Sequence, residues 1–192
     1  SATGLPAGAT FVNGDFSWTP SFTQAGTYSV TFIASDGSLS DTEQVTITVG
    51  NVADETAPAV VDLYPEPDAI QIPVNPLIVF AVSDAGLGVD ANTVTIQVDG
   101  QLVYSGNQAE SQSAYGICRR TGTKASYRYH YQPASGFDFD QHVSMCVTAS
   151  DLANNVMDPC SYEFVTEMRS FGGNEAISPG DLAGGHSTMA TD

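Results

Sequence analysis

Basic residues are scarce in this chain of 192 residues, which has five Lys and Arg against 22 Asp and Glu and a net charge of −17. Such a charge repels the phosphates of nucleic acids and of anionic membrane surfaces, so neither is an expected partner. It also attracts divalent cations. No apolar run approaches the roughly 20 residues of a membrane-spanning helix, so membrane insertion is not expected either.

Sequence patterns of several enzyme classes are missing too. The chain has no Gly-x-Ser-x-Gly elbow, no phosphate-cradling glycine loop and no His-Glu-x-x-His motif. Asp138 and Asp140 are two nearby acids, but neighbours on one strand seldom face a common substrate. Helix-favouring runs of Ala, Leu, Glu and Lys are absent, whereas Val and Thr are abundant. The composition predicts an all-β protein that is not an enzyme.

The first half alternates between apolar and polar residues. Along residues 26–34, Tyr28, Val30 and Phe32 point one way and Ser29 and Thr31 point the other. A turn at 36–38 follows, and residues 45–49 alternate again, which predicts a β-hairpin with one buried face. Trp18 is expected in the core of this half rather than on a sugar-binding surface.

The second half repeats this pattern in about seven short stretches separated by turn residues, which is typical of a β-sandwich. Residues 49–58 lie between the two patterned halves and include the acids Asp54 and Glu55. The predicted domains are an incomplete sandwich at 1–50, a linker at 51–57, a second sandwich at 58–168 and an irregular linker or tail at 169–192.

Short motifs recur in both halves. The first half contains Leu-Pro-Ala-Gly-Ala-Thr-Phe at 5–11, Phe-Ser-Trp-Thr-Pro at 16–20 and Ala-Ser-Asp-Gly at 34–37. The second half contains Ser-Asp-Leu-Ala-Asn-Asn at 150–155, which is the most specific of them. With these motifs both halves resemble immunoglobulin-like and cadherin-like repeat modules of large exported bacterial proteins. The resemblance implies two tandem immunoglobulin-like β-sandwiches outside a bacterial cell, and a structural or adhesive role.

The first module lacks two opening strands that modules of the resembled family have before the Leu-Pro-Ala-Gly segment. Either the chain is cut from a longer polypeptide at Ser1, or another chain donates the missing strand by edge pairing. The second alternative would make the protein a subunit of an extracellular filament. A third reading is an accessory module of a secreted enzyme.

A calcium site is expected at the joint between the modules. In an immunoglobulin-type sandwich, the start of the first strand lies at the same end as the loop after the second strand and the loop between the last two. Calcium takes six to eight oxygen ligands, which side chains at this end supply. The alternative is that these residues only form turns. The candidate ligands are Asp54, Glu55, Asp84, Asp90, Asp151, Asn154 and Asn155.

The three cysteines, Cys118, Cys146 and Cys160, lack the paired spacing of a zinc site. A disulfide between Cys146 and Cys160 is expected if the last hairpin turns around Ala153. Cys118 is a competing partner for either, and three reduced thiols are the alternative.

Four of the five basic residues fall within ten positions, and they form a candidate partner-binding patch: Arg119, Arg120, Lys124 and Arg128. In so acidic a chain this patch suits an acidic surface on another copy or on a partner. The alternative is a solvated hairpin. Expected partners are neighbouring modules or copies of the chain, and then a cell-surface protein or a glycan.

Overall fold

The computed structural model describes residues 1–169, which form β-strands joined by turns and loops. This range contains no α-helix, and therefore none long and apolar enough to cross a membrane. The all-β prediction is confirmed. The predicted tail lies outside the described residues from position 170 onward.

The first module has five strands: β1 (Ala2–Thr3), β2 (Thr10–Val12), β3 (Asp15–Ser17), β4 (Gly26–Ser35) and β5 (Ser40–Val49). Strands β1, β4 and β5 form a sheet in the order β1-β4-β5, whereas β2 and β3 form a separate hairpin. Strands β4 and β5 pair antiparallel over their whole lengths. The hairpin predicted from the alternating pattern is thus present.

Aromatic side chains pack the β2–β3 hairpin onto the sheet. The rings of Phe11 and Phe16 lie 5.2 and 6.0 Å from Phe32. Trp18 packs edge-on against Tyr28 at 4.8 Å and donates its Nε1 hydrogen to the carbonyl of Ala7, but it is only half-buried, at the margin of the core in which it was predicted. The core is nevertheless small, because the only buried apolar side chains of residues 1–50 are those of Pro6 and Val30.

The second module is a sandwich of two antiparallel sheets. One has five strands in the order β10-β11-β12-β7-β6, and the other has four in the order β14-β13-β8-β9. The strands are β6 (Ala59–Tyr64), β7 (Ile78–Ser83), β8 (Thr95–Val98), β9 (Gln101–Ser105), β10 (Glu110–Ser113), β11 (Gly116–Thr123), β12 (Ser126–Pro133), β13 (His142–Thr148) and β14 (Cys160–Val165). Together the two modules are consistent with the predicted tandem sandwiches.

The core of the second module is large. Phe80, Tyr104 and Tyr129 are almost completely buried between the sheets, and the Tyr129 ring lies 5.5 Å from Phe80 and 5.1 Å from Tyr104. Aliphatic side chains from β7, β8 and β13 fill the rest of this space. Burial of this many apolar side chains is the main stabilising contribution to the module.

The predicted Cys146–Cys160 disulfide does not agree with the strand register. Cys146 lies opposite Ser161 on β14, and Cys160 lies opposite Val147 on β13. Residues that oppose each other share a face and successive residues alternate, so the two thiols lie on opposite faces of the sheet. All three cysteines are free. The expectation assumed a hairpin centred on Ala153, whereas the register pairs Cys146 with Ser161, one residue away from Cys160.

Candidate metal centre

Asp54 attaches the irregular joint to the second module. Its Oδ2 accepts a hydrogen bond of 2.6 Å from the backbone N–H of Leu87, and its Oδ1 accepts one of 3.2 Å from Thr56. Only 9% of Asp54 is exposed. The aspartate therefore turns inward, towards the loop that follows β7.

Asp84 stands at the beginning of that loop, directly after β7. Its Oδ2 accepts hydrogen bonds of 2.9 Å from the N–H of Gly86 and 2.7 Å from the N–H of Gly88. Its Oδ1 is buried and has no hydrogen-bond partner within residues 1–169, and only 7% of the residue is exposed. A buried carboxylate oxygen without a hydrogen-bond partner is costly, so this atom is the strongest candidate for a cation ligand among the described residues.

Asp151 lies in the loop between β13 and β14 and is 1% exposed. Its Oδ1 accepts hydrogen bonds from the N–H of Ala153 (2.9 Å) and of Asn155 (2.7 Å). The side-chain Nδ2 of Asn155 donates both to Asp151 Oδ2 at 2.7 Å and to the backbone carbonyl of Asp54 at 3.0 Å. Asn155 thus connects the joint directly to this loop.

Backbone hydrogen bonds hold the two loops of the second module together. The N–H of Asp90 donates to Ser150 at 2.9 Å, and the N–H of Leu152 donates to Gly88 at 2.9 Å. The N–H of Val89 donates to Lys124 in the turn between β11 and β12 at 2.7 Å. Because these contacts fix both loops, the aspartates that they carry are held in place before any ligand binds.

These segments bring Asp54, Asp84 and Asp151 together, with one carboxylate oxygen of each within 4.8 Å of the others. In the part of the chain that the structure describes, no Lys, Arg or His forms an ion pair with any of the three. At such distances two unit charges repel by about 3–4 kcal/mol at an effective dielectric constant of 20. A bound divalent cation removes this repulsion, and a set of carboxylates and waters suits Ca²⁺ or Mg²⁺ rather than a softer metal.

The other predicted ligands do not join the three carboxylates. Glu55 is exposed, and Asn154 is an exposed turn residue with a φ of 69°. Asp90 Oδ1 accepts hydrogen bonds from both nitrogens of Asn92, so it closes its own turn. Asn155 is at the cluster, where its Nδ2 donates to Asp151 Oδ2 and to the carbonyl of Asp54.

Sequence reasoning missed the glycines that make room for the cluster. A Cβ on Gly86 would overlap the Asp54 carboxylate, and Gly88 has a φ of +100°, which side chains rarely adopt. Both N–H groups bind Asp84. The sequence did contain a sign of this arrangement, namely two glycines two and four residues after an aspartate that directly follows an apolar strand.

The predicted partner-binding patch is largely engaged within the chain. Arg119 forms an ion pair with Glu110, and Arg128 forms one with Asp62, both at 2.6 Å. Arg120 lies 4.4 Å over the Tyr127 ring and donates to Asn107 Oδ1. Lys124 packs its side chain against Gly88. These contacts leave fewer free charges for a partner than the sequence indicated, and a role in binding stays a prediction.

Comparisons with known proteins concern the fold. Residues 1–50 match the family model He_PIG, described as "Putative Ig domain", so the resemblance of this half to immunoglobulin-like repeats is confirmed. The fibronectin(III)-like modules of Clostridium thermocellum CbhA are similar to 75% of this chain at 16% identity and a TM-score of 0.35. The match covers 64% of that solved chain. The search of curated proteins finds no significant relative.

Proposed function

We propose that this chain is a structural segment of a larger extracellular bacterial protein, in which Ca²⁺ held by Asp54, Asp84 and Asp151 fixes the joint between two β modules. The immunoglobulin-like fold supports a structural role, since such modules usually serve as spacers or adhesive elements in exported proteins. The position of Asp54 within the joint, rather than within either module, supports a role in setting how the modules are connected.

The observation that carries the proposal is the buried Oδ1 of Asp84, which lacks a partner among the described residues beside two further carboxylates. A site made only for turns would need no third acid from the joint, because backbone N–H groups already satisfy Oδ2 of Asp84. Water and backbone carbonyls would complete the six to eight ligands that Ca²⁺ requires.

Thermal unfolding of the full chain in 10 mM Ca²⁺ and in EGTA tests the proposal. Extracellular modules bind Ca²⁺ with dissociation constants of about 10⁻⁴–10⁻³ M, which at this concentration stabilise the folded state by about 1.4–2.7 kcal/mol. We therefore expect Tm to rise by about 4–10 °C.

Asp84→Asn keeps the shape of the side chain and removes its charge, so we expect it to abolish the Ca²⁺-dependent rise in Tm. Asp90→Asn is the matched control, since it makes the same chemical change in the same loop outside the cluster, and it retains the rise. An unchanged Tm of the wild type in Ca²⁺, or an equal rise in Asp84→Asn, would contradict the proposal.

A further inference from the structure

Strand β5 has an open edge. It pairs with β4 along ten residues, and no other strand of residues 1–169 lies on its far side. The outward N–H and C=O groups of such an edge are free to pair with an added strand. Val45, in the middle of β5, is 38% exposed. The edge therefore offers both hydrogen-bonding groups and apolar surface.

The inner face of β5 carries acidic side chains at one end of the strand and aliphatic side chains at the other. Asp41 and Glu43 lie opposite Ala34 and Phe32 on β4, and Val45 and Ile47 lie opposite Val30 and Tyr28. Since opposing residues share a face, the two acids and the aliphatic side chains line the same side, which is also the side of the small core. An incoming strand thus meets negative charge at one end of β5 and aliphatic surface at the other.

Two hollows flank this face. One of about 220 Å³ lies beside Phe11, Phe32 and the acids Asp41 and Glu43. The other, of about 330 Å³, lies at the opposite end beside Val49 and is lined largely by apolar groups, which include Pro20, Phe22 and Val52. Phe22 and Val52 are 40% and 70% exposed. The first hollow is also lined by Ser1, so a cationic side chain is matched to the exposed acids Asp41 and Glu43 rather than to the whole hollow, and an aliphatic side chain suits the second hollow.

A second copy of β5 is a poor occupant of the edge. In an antiparallel pair centred on Val45, Glu43 would oppose Ile47 and Asp41 would oppose Val49. In a parallel pair in register, each acid would oppose itself, and like charges directly opposite are destabilising. The net charge of −17 adds to this repulsion. Charge complementarity favours a strand of a different sequence that carries basic residues.

We propose that β5 accepts an extended strand of complementary chemistry, with Lys or Arg opposite Asp41 and Glu43 and aliphatic residues opposite Val45, Ile47 and Val49. Main-chain hydrogen bonds supply the pairing, and the alternating side chains supply the choice of partner. The added strand also covers Val45 and extends a core in which only Pro6 and Val30 are buried.

Synthetic peptides test this with the full chain held in constant Ca²⁺. One nine-residue peptide has the sequence Lys-Thr-Lys-Thr-Val-Thr-Val-Thr-Val. A second peptide has the reverse sequence. We expect one order to bind at least tenfold more tightly in calorimetry than the same peptide with glutamates for lysines. The peptide sequence that binds more tightly shows whether the added strand runs parallel or antiparallel to β5. Binding should also slow the exchange of the amide hydrogens of β5.

Charge reversal provides the matched control. The double variant Asp41→Lys with Glu43→Lys alters two exposed residues and should prefer the glutamate peptide over the lysine peptide. The proposal is overturned if no peptide binds, if lysine and glutamate peptides bind equally, or if sedimentation shows the free chain pairing with itself through β5. Asp84→Asn should leave peptide binding unchanged, which separates this test from that of the Ca²⁺ site.

Discussion

Gly86 shows how one residue without a side chain shapes the candidate site. The Asp54 carboxylate occupies the place where a Cβ on Gly86 would lie, and the next N–H, that of Leu87, binds the same carboxylate. The loop after β7 can approach the joint this closely only because residue 86 is glycine. The acids alone therefore do not define the site.

We predict that Gly86→Ala expels the Asp54 carboxylate. The cost in the free energy of unfolding should be about 1–3 kcal/mol, as for other overpacked sites, and the rise of Tm in Ca²⁺ should shrink or vanish. Chemical denaturation with and without Ca²⁺ measures both. Gly50→Ala is the control, because a Cβ there meets nothing within 4 Å. Equal effects of the two variants would show that Gly86 has no special part.

Cys118 links stability to alkaline pH. Burial raises the pKa of its thiol from the ordinary value of 9.0 to about 12. The unfolded chain therefore releases this proton near pH 9, whereas the folded chain keeps it. The neutral thiol contributes its full stabilisation below pH 9, and this contribution is lost as the pH rises from 9 to 12.

We predict that the free energy of unfolding falls between pH 9 and 11 with a slope of about 1.4 kcal/mol per pH unit from this group. Burial also raises the pKa of Tyr131, from 10.0 to about 12, which steepens the fall above pH 10. Urea denaturation at several pH values measures the slope. Cys118→Ala should reduce it between pH 9 and 10, and an unchanged slope would contradict the assignment.

At the scale of elements, the two modules differ in how well their strands are protected. In β4 and β5, Val30 is the only fully buried residue, whereas four of the six residues of β7 are buried. Local opening is easier where few apolar contacts must be broken.

We predict that amide hydrogens of β4 and β5 exchange at least tenfold faster than those of β7 and β12 in the full chain. Exchange followed by mass spectrometry or NMR measures the ratio. The comparison should use the amide hydrogens of β4 that bond to β5, because unpaired amide hydrogens at a sheet edge exchange fast in any protein. Similar protection in both modules would mean that the first module is more stable than its burial indicates.

Elements with a clear apolar pattern were predictable from the sequence. The β4–β5 hairpin was predicted at its observed place, and strands β7, β12 and β13 carry the alternating or continuous apolar residues that indicated a sandwich in the second half. Strand β10 has no such pattern, because Glu110–Ser113 is wholly polar and forms by pairing with β11. Its position depends on a partner strand, which no local pattern reveals.

The candidate site was predictable in outline from topology. Loops at one end of a sandwich converge, which indicated Asp54, Asp84 and Asp151 together. Which acids turn inward depends on the positions of backbone N–H groups, and these cannot be read from the identity of single residues. The sequence therefore did not distinguish Glu55 and Asp90 from the three clustered aspartates. Whether Cys146 and Cys160 pair could not be predicted for a related reason. A shift of one residue in strand register moves a side chain to the other face of the sheet.

At the scale of the whole molecule, the acidic residues differ in their exposure to solvent. Most of the negative charge faces solvent, but three carboxylates converge where residues 50–58 enter the second module. Buried acids are therefore concentrated at the entrance to the second module. The joint is connected to this module by the hydrogen bonds of the Asp54 carboxylate with Leu87 and of the Asp54 carbonyl with Asn155, and by the packing of Ala57 against the core.

This attachment determines how tension would travel along the chain. A pull on the first module reaches Asp54 before it reaches β6, which is an edge strand and the first to peel away from its sheet. We expect the force to act first on the two loops that carry Asp84 and Asp151. A cation bound there would have to dissociate from the three carboxylates before β6 separates from β7. With a cation bound, we expect the mechanical resistance of the second module to depend on Asp54, Asp84 and Asp151 as well as on its core.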